Sequence, residues 1–467
     1  MPGVSWRMSL RRFLGREIPV WMFSLYLFLW VVLTAVFGWI VRVTADGYDT
    51  FGALGTKFAA ITDFVEYAVY SVGFMFEAQD AVLVVPRDVP VGGNFQPLVA
   101  KANLRIEGLF VRKNAEALAR TRGWRYLIGA FLIDGRARNA AVLLSPDLEI
   151  VHVWPLTEGD VPGEIPGAES HKLVHGFAVL DDGSMLVGYD GGISIQRIDL
   201  CGRRLWVTPG EFNHTISPEE SGQSFWTIEG MLDAVHLVEI ATSDGRILRR
   251  VSLGEIIDAN PTLDILGIRQ KDEEIFGGGP AYETKKWEFD RFHINDVEPL
   301  PAEFAKSFPA FLPGDLLISA RSLDLIFVID PKTFRIKWWI SGVTRRQHDP
   351  DWQPNGEITV YDNNMGRQYS RIVGIAPGTQ TVRVLFDGSM ANFYSIARGK
   401  HQLTAAGSLL VTSPAQGRVF EVGPDGQLIF DLLDTKPNSN SNYRVTEAIW
   451  LPYEAMDVSK FLRCPRS

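Results

Sequence analysis

From about Gly123 onward, short apolar runs alternate with turn dipeptides: Asp134-Gly135, Asp182-Gly183, Asp244-Gly245, Asn355-Gly356, Asp387-Gly388 and Asp425-Gly426. Arg418-Val419-Phe420-Glu421-Val422, the turn Pro424-Asp425-Gly426 and Gln427-Leu428-Ile429-Phe430 show the texture of two strands and their connection. Many short strands with evenly spaced turns predict an all-β barrel, sandwich or propeller. Internal repetition selects the propeller. His175, His214 and His348 are each followed eight positions on by a turn glycine (Gly183, Gly222, Gly356) and then by an apolar strand. His401 reaches Gly407 in six, and His293 reaches Gly314 after a longer insertion.

The histidines are separated by 39, 79, 55 and 53 residues, a spacing suited to four-stranded blades. The longest interval holds a helix-like stretch near Leu253 to Asp258 and the Gly277-Gly278-Gly279 loop, so it reads as one blade with an insertion. A sixth blade can be assembled from both ends of the repeat region. Its inner strand would lie around Arg444 to Trp450, and its outer strands at 125–133, 139–145 and 149–154. Closing the ring this way removes the open edge of a partial ring. The expected fold is an all-β, six-bladed β-propeller over 123–455.

Upstream the pattern differs. Val20 to Val41 carries no charged side chain, and as a helix would span about 33 Å, enough for a bilayer core. Arg7, Arg11, Arg12 and Arg16 precede it, and Arg42 is soon followed by Asp46. The positive-inside rule then makes 1–18 a cytoplasmic basic tail, 19–42 a transmembrane helix and the rest external. Trp21, Trp30 and Trp39 are candidates for interfacial anchoring. A cleaved signal peptide fits less well, because the run is long and lacks a small-residue cleavage site before Arg42. Between Phe51 and Ala78, apolar residues recur at spacings of three and four, predicting a short helical stalk or a helix on the membrane surface. Residues 84–100 read as a linker, so 43–122 is assigned to juxtamembrane helix and linker, and 456–467 to a C-terminal tail.

Composition narrows the function. The net charge of −9 disfavours nucleic acid as a partner. Two cysteines, Cys201 and Cys464, form no CxxC pair. They could pair in an oxidising compartment, but the sequence gives no distance between them and the plainer reading is two unrelated residues. Of eight histidines, five fall at one phase of the repeat, just ahead of each blade's inner strand: His175, His214, His293, His348 and His401. Any one of them alone would read as a satisfied turn histidine, and all five could descend from a duplicated structural one. Together they point to a ring at the central opening. Asp296, Asp349 and Asp351 lie close enough in sequence to leave a metal site open, although no cofactor or metal is assigned. The alternative is anion chemistry, a neutral imidazole attacking a sulfuryl or phosphoryl group held by cationic donors.

The segment Gln347-His348-Asp349-Pro350-Asp351-Trp352-Gln353-Pro354-Asn355-Gly356 through Asn363-Asn364 resembles the signature of the arylsulfotransferase family. His293-Ile294-Asn295-Asp296-Val297-Glu298 and Gly399-Lys400-His401-Gln402-Leu403 resemble its flanking blade motifs. The resemblance covers roughly 125 to 455. It implies a six-bladed propeller that moves a sulfuryl group from a phenolic sulfate ester to a phenolic acceptor, without the nucleotide donor PAPS. The reaction would be ping-pong through a sulfurylated histidine. Carried over by motif, His401 matches the nucleophile, His348 the signature histidine, His214 a further channel histidine and Arg367 the assisting arginine, with Arg371 as fallback. His175, His293 and Asn363 would bind substrate. The expected protein is a single-pass inner-membrane enzyme with a periplasmic propeller, acting on an aryl sulfate and a phenolic acceptor, with a homodimer left open. The competing reading is a non-catalytic binding or scaffold module, to which Trp338, Trp339 and Trp352 would lend aromatic surface.

Overall fold

The structure, a computed structural model, describes residues 20–45, 83–158, 172–190, 192–230, 234–266, 292–456 and 464. The expected basic tail, stalk helix and triple-glycine loop lie outside these residues. Two units are distinguished, one containing 1–78 and 268–287, the other 79–267 and 288–467.

In the first unit, Val20–Ala45 forms a 26-residue α-helix. Its side chains are described over 24–40. Among the described residues, no helix is long and apolar enough to cross a membrane, so the span expected at 19–42 lacks support there.

The second unit is a six-bladed propeller. Blade 1 contains Val174–Val179, Met185–Tyr189, Ser194–Ile198 and Arg204–Pro209. Blade 2 contains Phe212–Pro218, Ser224–Glu229, His236–Ala241 and Ile247–Ser252. Blade 3 contains Ile294–Pro299, Leu316–Ala320, Leu325–Ile329 and Ile336–Ser341; blade 4 contains His348–Trp352, Ile358–Asp362, Arg371–Ala376 and Thr381–Asp387. Blade 5 starts from Lys400–Leu403, Leu409–Ser413, Arg418–Val422 and Leu428–Asp434. Blade 6 is the closure expected from sequence: Val445–Pro452 lies innermost, against Gly123–Ile133, Arg136–Leu144 and Ile150–Pro155.

Each blade is covered on both faces by its neighbours, which explains the sequence texture. The second strands of blades 1, 3, 4 and 5 are buried at every residue, so they read as largely apolar runs without polar alternation. Outer strands meet water, and Thr381–Asp387 has no fully buried residue. The core is therefore a set of layers between blades. One layer joins Trp124, Tyr126 and Trp154 of blade 6 to Val174, Phe177 and Met185 of blade 1. Another joins Tyr361 and Ile372 of blade 4 to Val411 and Phe420 of blade 5.

Three features differ from or extend the sequence reading. The stretch expected to be a linker contributes strands. Leu109–Lys113 and Gln96–Pro97 extend blade 5 outward to six strands, and Val84–Pro86 pairs with Ser441–Tyr443. Cys201 and Cys464 form a disulfide, which corrects the reading of two unrelated residues. The helix near Leu253 is present as Leu253–Ala259, opened by a capping box between Ser252 and Glu255.

One glycine governs the inner edge of blade 5. Gly399 has φ +131°, and a Cβ there would sit 2.3 Å from the Tyr361 ring. That ring is wholly buried and has nowhere to retreat. Gly399→Ala is expected to lower unfolding stability by about 2–4 kcal/mol, read as a fall in denaturant midpoint. An unchanged midpoint would mean that this approach does not constrain the blade.

Candidate functional site

The inner strands of blades 1 to 4 share a local irregularity. Their pairing with the second strand slips between Val174 and Phe177, Asn213 and Ile216, Ile294 and Asp296, and His348 and Asp351. Such β-bulges re-aim a side chain out of the strand's regular alternation. Positive φ at His214 (67°) and His293 (45°) belongs to the same distortion. As a result four imidazoles converge. His175 and His214 have ring centroids 4.5 Å apart, His214 and His293 5.0 Å. His348 lines the same cavity of about 370 Å³, with Arg321, Arg398, Arg444 and Asp190.

His401 does not join them. Its pairing with Val411 is regular, without a bulge. Counting back eight residues from Gly407, the interval that marks His175, His214 and His348, reaches Gly399. His401 is thus two residues further along its strand, about 7 Å at the usual rise. Five histidines in phase are four in space. The short interval to Gly407 was the signal, and it also pointed to Arg398, beside the ring-phase glycine.

Hydrogen bonds assign the state of His348. Both amide hydrogens of Asn363 are used, Nδ2 donating to Ser395 O at 2.8 Å and to Arg398 O at 2.6 Å. Asn363 Oδ1, 2.7 Å from His348 Nδ1, must therefore accept a proton from that nitrogen. His348 Nε2 in turn accepts the Arg398 backbone N–H at 3.2 Å. The lone pair of His348 is occupied, so this imidazole holds the Arg398 loop in place. Asn363 is a positioning residue behind the ring and does not line the cavity.

His214 is the opposite case. Its Nδ1 is buried without a hydrogen-bond partner, and the ring stands between His175 and His293. Burial holds its pKa well below the ordinary 6.5, helped by His175 and His293. Burial likewise lowers His175 and, more strongly, His348, where Arg321 adds to it. These imidazoles are neutral near pH 7, and the positive charge of the cavity comes from guanidinium groups. Arg444, lowered to about 10 by burial and by Arg398, keeps its proton. Arg398 pairs with Asp190, which also lies 3.8 Å from His175 Nδ1. Although burial opposes ionisation of Asp190, His175 and Arg398 keep it an anion.

The predicted arginine is elsewhere. Arg367 is exposed in the turn after Asn364 and lines neither this cavity nor the next. Arg371 donates through Nε to Asp362 at 2.9 Å. Arg321, Arg398 and Arg444 take the place expected for them. Trp352 is core, packed on Phe308 and Phe311, while Trp339 is 41% exposed.

A second cavity, of about 910 Å³, includes His401 with Asp296, Glu298, Asp349, Asp351, Lys400 and Glu447. Between the two is a constriction of about 10 Å³ lined by residues of both. This second end is carboxylate-rich. Burial raises Asp296 to about 6 and Glu447 to about 7, both against the opposing pull of Lys400. Burial also raises Glu298 and Asp351 well above the ordinary range. Asp349 is the exception: despite burial, Lys400 and His401 hold it low.

The sequence profile of the family described as arylsulfotransferase matches residues 188–435. No curated protein matches the chain. Among solved structures, a protein of unknown function from Bacteroides caccae is similar at 12% identity, covering 70% of this chain and 99% of its own, with TM-score 0.45. TolB from Acinetobacter baumannii is similar at 13% identity, covering 71% and 67%, with TM-score 0.42. Selenomethionine-substituted virginiamycin B lyase from Staphylococcus aureus is similar at 11% identity, covering 62% and 86%, with TM-score 0.34. Likenesses of this size carry no argument about chemistry.

The two ends respond oppositely to pH. Glu447 has a folded value of about 7 against an ordinary 4.5, so its contribution to stability is lost as pH rises through 7. The depressed histidines make the native state lose stability as pH falls below about 6.5. Glu447→Gln should therefore raise stability relative to wild type at pH 8 by about 1–3 kcal/mol, with little difference at pH 4.5. Urea unfolding at the two pH values measures this, and an equal effect at both would contradict it.

Proposed function

The chain belongs to the arylsulfotransferase family, and from that premise we propose that its imidazole–arginine cavity moves a sulfuryl group from a phenolic sulfate ester to a hydroxyl acceptor. The supporting observation is His214, a neutral imidazole with an unpartnered buried nitrogen among three guanidinium groups. A neutral ring is nucleophilic, and fixed cations nearby stabilise sulfuryl oxygens without having to reorganise. His214 attacks sulfur, the bond from sulfur to the phenolic oxygen breaks, and the phenolate leaves to take a proton from solvent. The acceptor hydroxyl then attacks the same sulfur as the sulfur–nitrogen bond breaks, releases its proton to solvent, and frees the imidazole. Arg321, Arg398 and Arg444 neutralise the sulfate ester, while Val235 and Ile294 offer the aromatic ring an apolar wall.

This reading reassigns the attack from His401 to His214. The carboxylate end around His401 is a poor setting for an anionic donor, and His348 has its lone pair engaged. Two features bear on location. The Cys201–Cys464 disulfide suits an oxidising compartment. The charge-free run Val20 to Val41, with arginines before it, suits a membrane anchor whose N-terminus is cytoplasmic. A periplasmic propeller tethered to the inner membrane fits both.

Incubation of the full chain with 4-nitrophenyl sulfate should release nitrophenol and leave one SO₃ on the peptide carrying His214. His214→Ala should reduce release by at least about 100-fold, whereas His401→Ala should retain it. An adduct on His401, or full turnover without His214, would overturn the assignment.

A further inference from the structure

The carboxylate end contains a geometry that the sulfuryl reading leaves unused. Asp349 Oδ2 accepts both the backbone N–H of His401, at 2.6 Å, and a proton from its Nδ1, at 2.9 Å. The other oxygen of Asp349 receives Lys400 Nζ at 2.7 Å. With its proton fixed on Nδ1, His401 carries a lone pair on Nε2. That nitrogen is buried in a residue only 6% exposed and has no hydrogen-bond partner. It faces Asp351 Oδ2 at 3.6 Å.

The separation is too long for a hydrogen bond, and close to the ligand–ligand distance that a bridging cation sets. A tetrahedral zinc ion at about 2.0–2.1 Å from each ligand would hold nitrogen and oxygen about 3.3 Å apart. The observed gap needs only a few tenths of an ångström of closure. Asp349, Asp351 and His401 bring their ligand atoms within 4.8 Å of one another, and no other group of three does so among the described residues. Asp349 stands behind the imidazole as the carboxylate does in carboxylate–histidine–metal arrangements. The cavity in front gives a path from solvent and adds the carboxyl oxygens of Asp296, Glu298 and Glu447 to its lining.

We propose that His401 Nε2 and the Asp351 carboxylate bind a zinc-class divalent cation, with Asp349 orienting the imidazole and water completing the open positions. The site is separate from the imidazole–arginine cavity, and neither assignment requires the other. Zinc held here would be exchangeable, because only two protein ligands touch it.

The test uses the full chain stripped with chelator and titrated calorimetrically with zinc chloride. Wild type should take up one equivalent and gain thermal stability. His401→Ala and Asp351→Asn should each abolish uptake and that gain, while their metal-free melting temperatures report whether they fold. Asp349→Asn should weaken binding by about 10- to 100-fold. His214→Ala should bind like wild type, which separates this site from the other imidazoles. No uptake by wild type, or unchanged uptake in both His401→Ala and Asp351→Asn, would overturn the proposal.

Discussion

The pairing of Val445–Pro452 with Gly123–Ile133 shuts the ring, and every feature of the channel depends on it. A propeller with one blade unfilled would expose an unpaired inner strand and let neighbouring blades drift apart. Arg444 immediately precedes the closing strand and Glu447 lies on it, so the same event that completes the hydrogen-bond ladder gives each end of the channel one of its charged groups. Next to this seam, Arg125 of blade 6 and Glu421 of blade 5 form a fully buried ion pair. The guanidinium is further satisfied by Gly123 O and Thr121 O. Loss of either partner would strand a buried charge, at a cost of about 3–5 kcal/mol.

Because the inner strands run along the channel, a shift of one or two residues carries a side chain from one chemical setting to another. Blade 4 shows this most compactly. His348 faces the guanidinium groups, whereas Asp349 and Asp351 face the carboxylates and Lys400. The constriction between the ends is lined by both sets. The channel is thus divided by chemistry, with guanidinium groups at one end and carboxyl groups at the other.

Hydrogen-bond partners behind the cavity set how far each imidazole's nitrogens are engaged. His175 and His214 are half-buried and His348 is buried, and their ring nitrogens differ in what they meet. Asn363 and the Arg398 backbone consume both nitrogens of His348, whereas His214 Nδ1 has no hydrogen-bond partner and His175 Nδ1 only the Asp190 carboxylate at 3.8 Å. Asn363 was readable from the sequence as a site residue, but its work is to fix a tautomer and hold a loop. Arg398 was overlooked because its blade carries glycine at the ring phase, and only the eight-residue interval to Gly407 hinted at it.

The sequence by itself determined the propeller, its six blades, the closure by both ends of the repeat region, the helix near Leu253 and four of the converging histidines. These follow from local periodicity and turn chemistry, which repeat at fixed intervals and need no knowledge of distant contacts. Tertiary structure alone decided that Cys201 meets Cys464, that residues 84–113 add strands to the propeller unit, and that three arginines from blades 3, 5 and 6 replace Arg367. It also decided that His401 belongs with Asp349 and Asp351. Such pairings depend on where a β-bulge turns one side chain and a regular strand leaves another, and a two-residue difference in spacing becomes a different end of the channel only once the blades are set around a common axis.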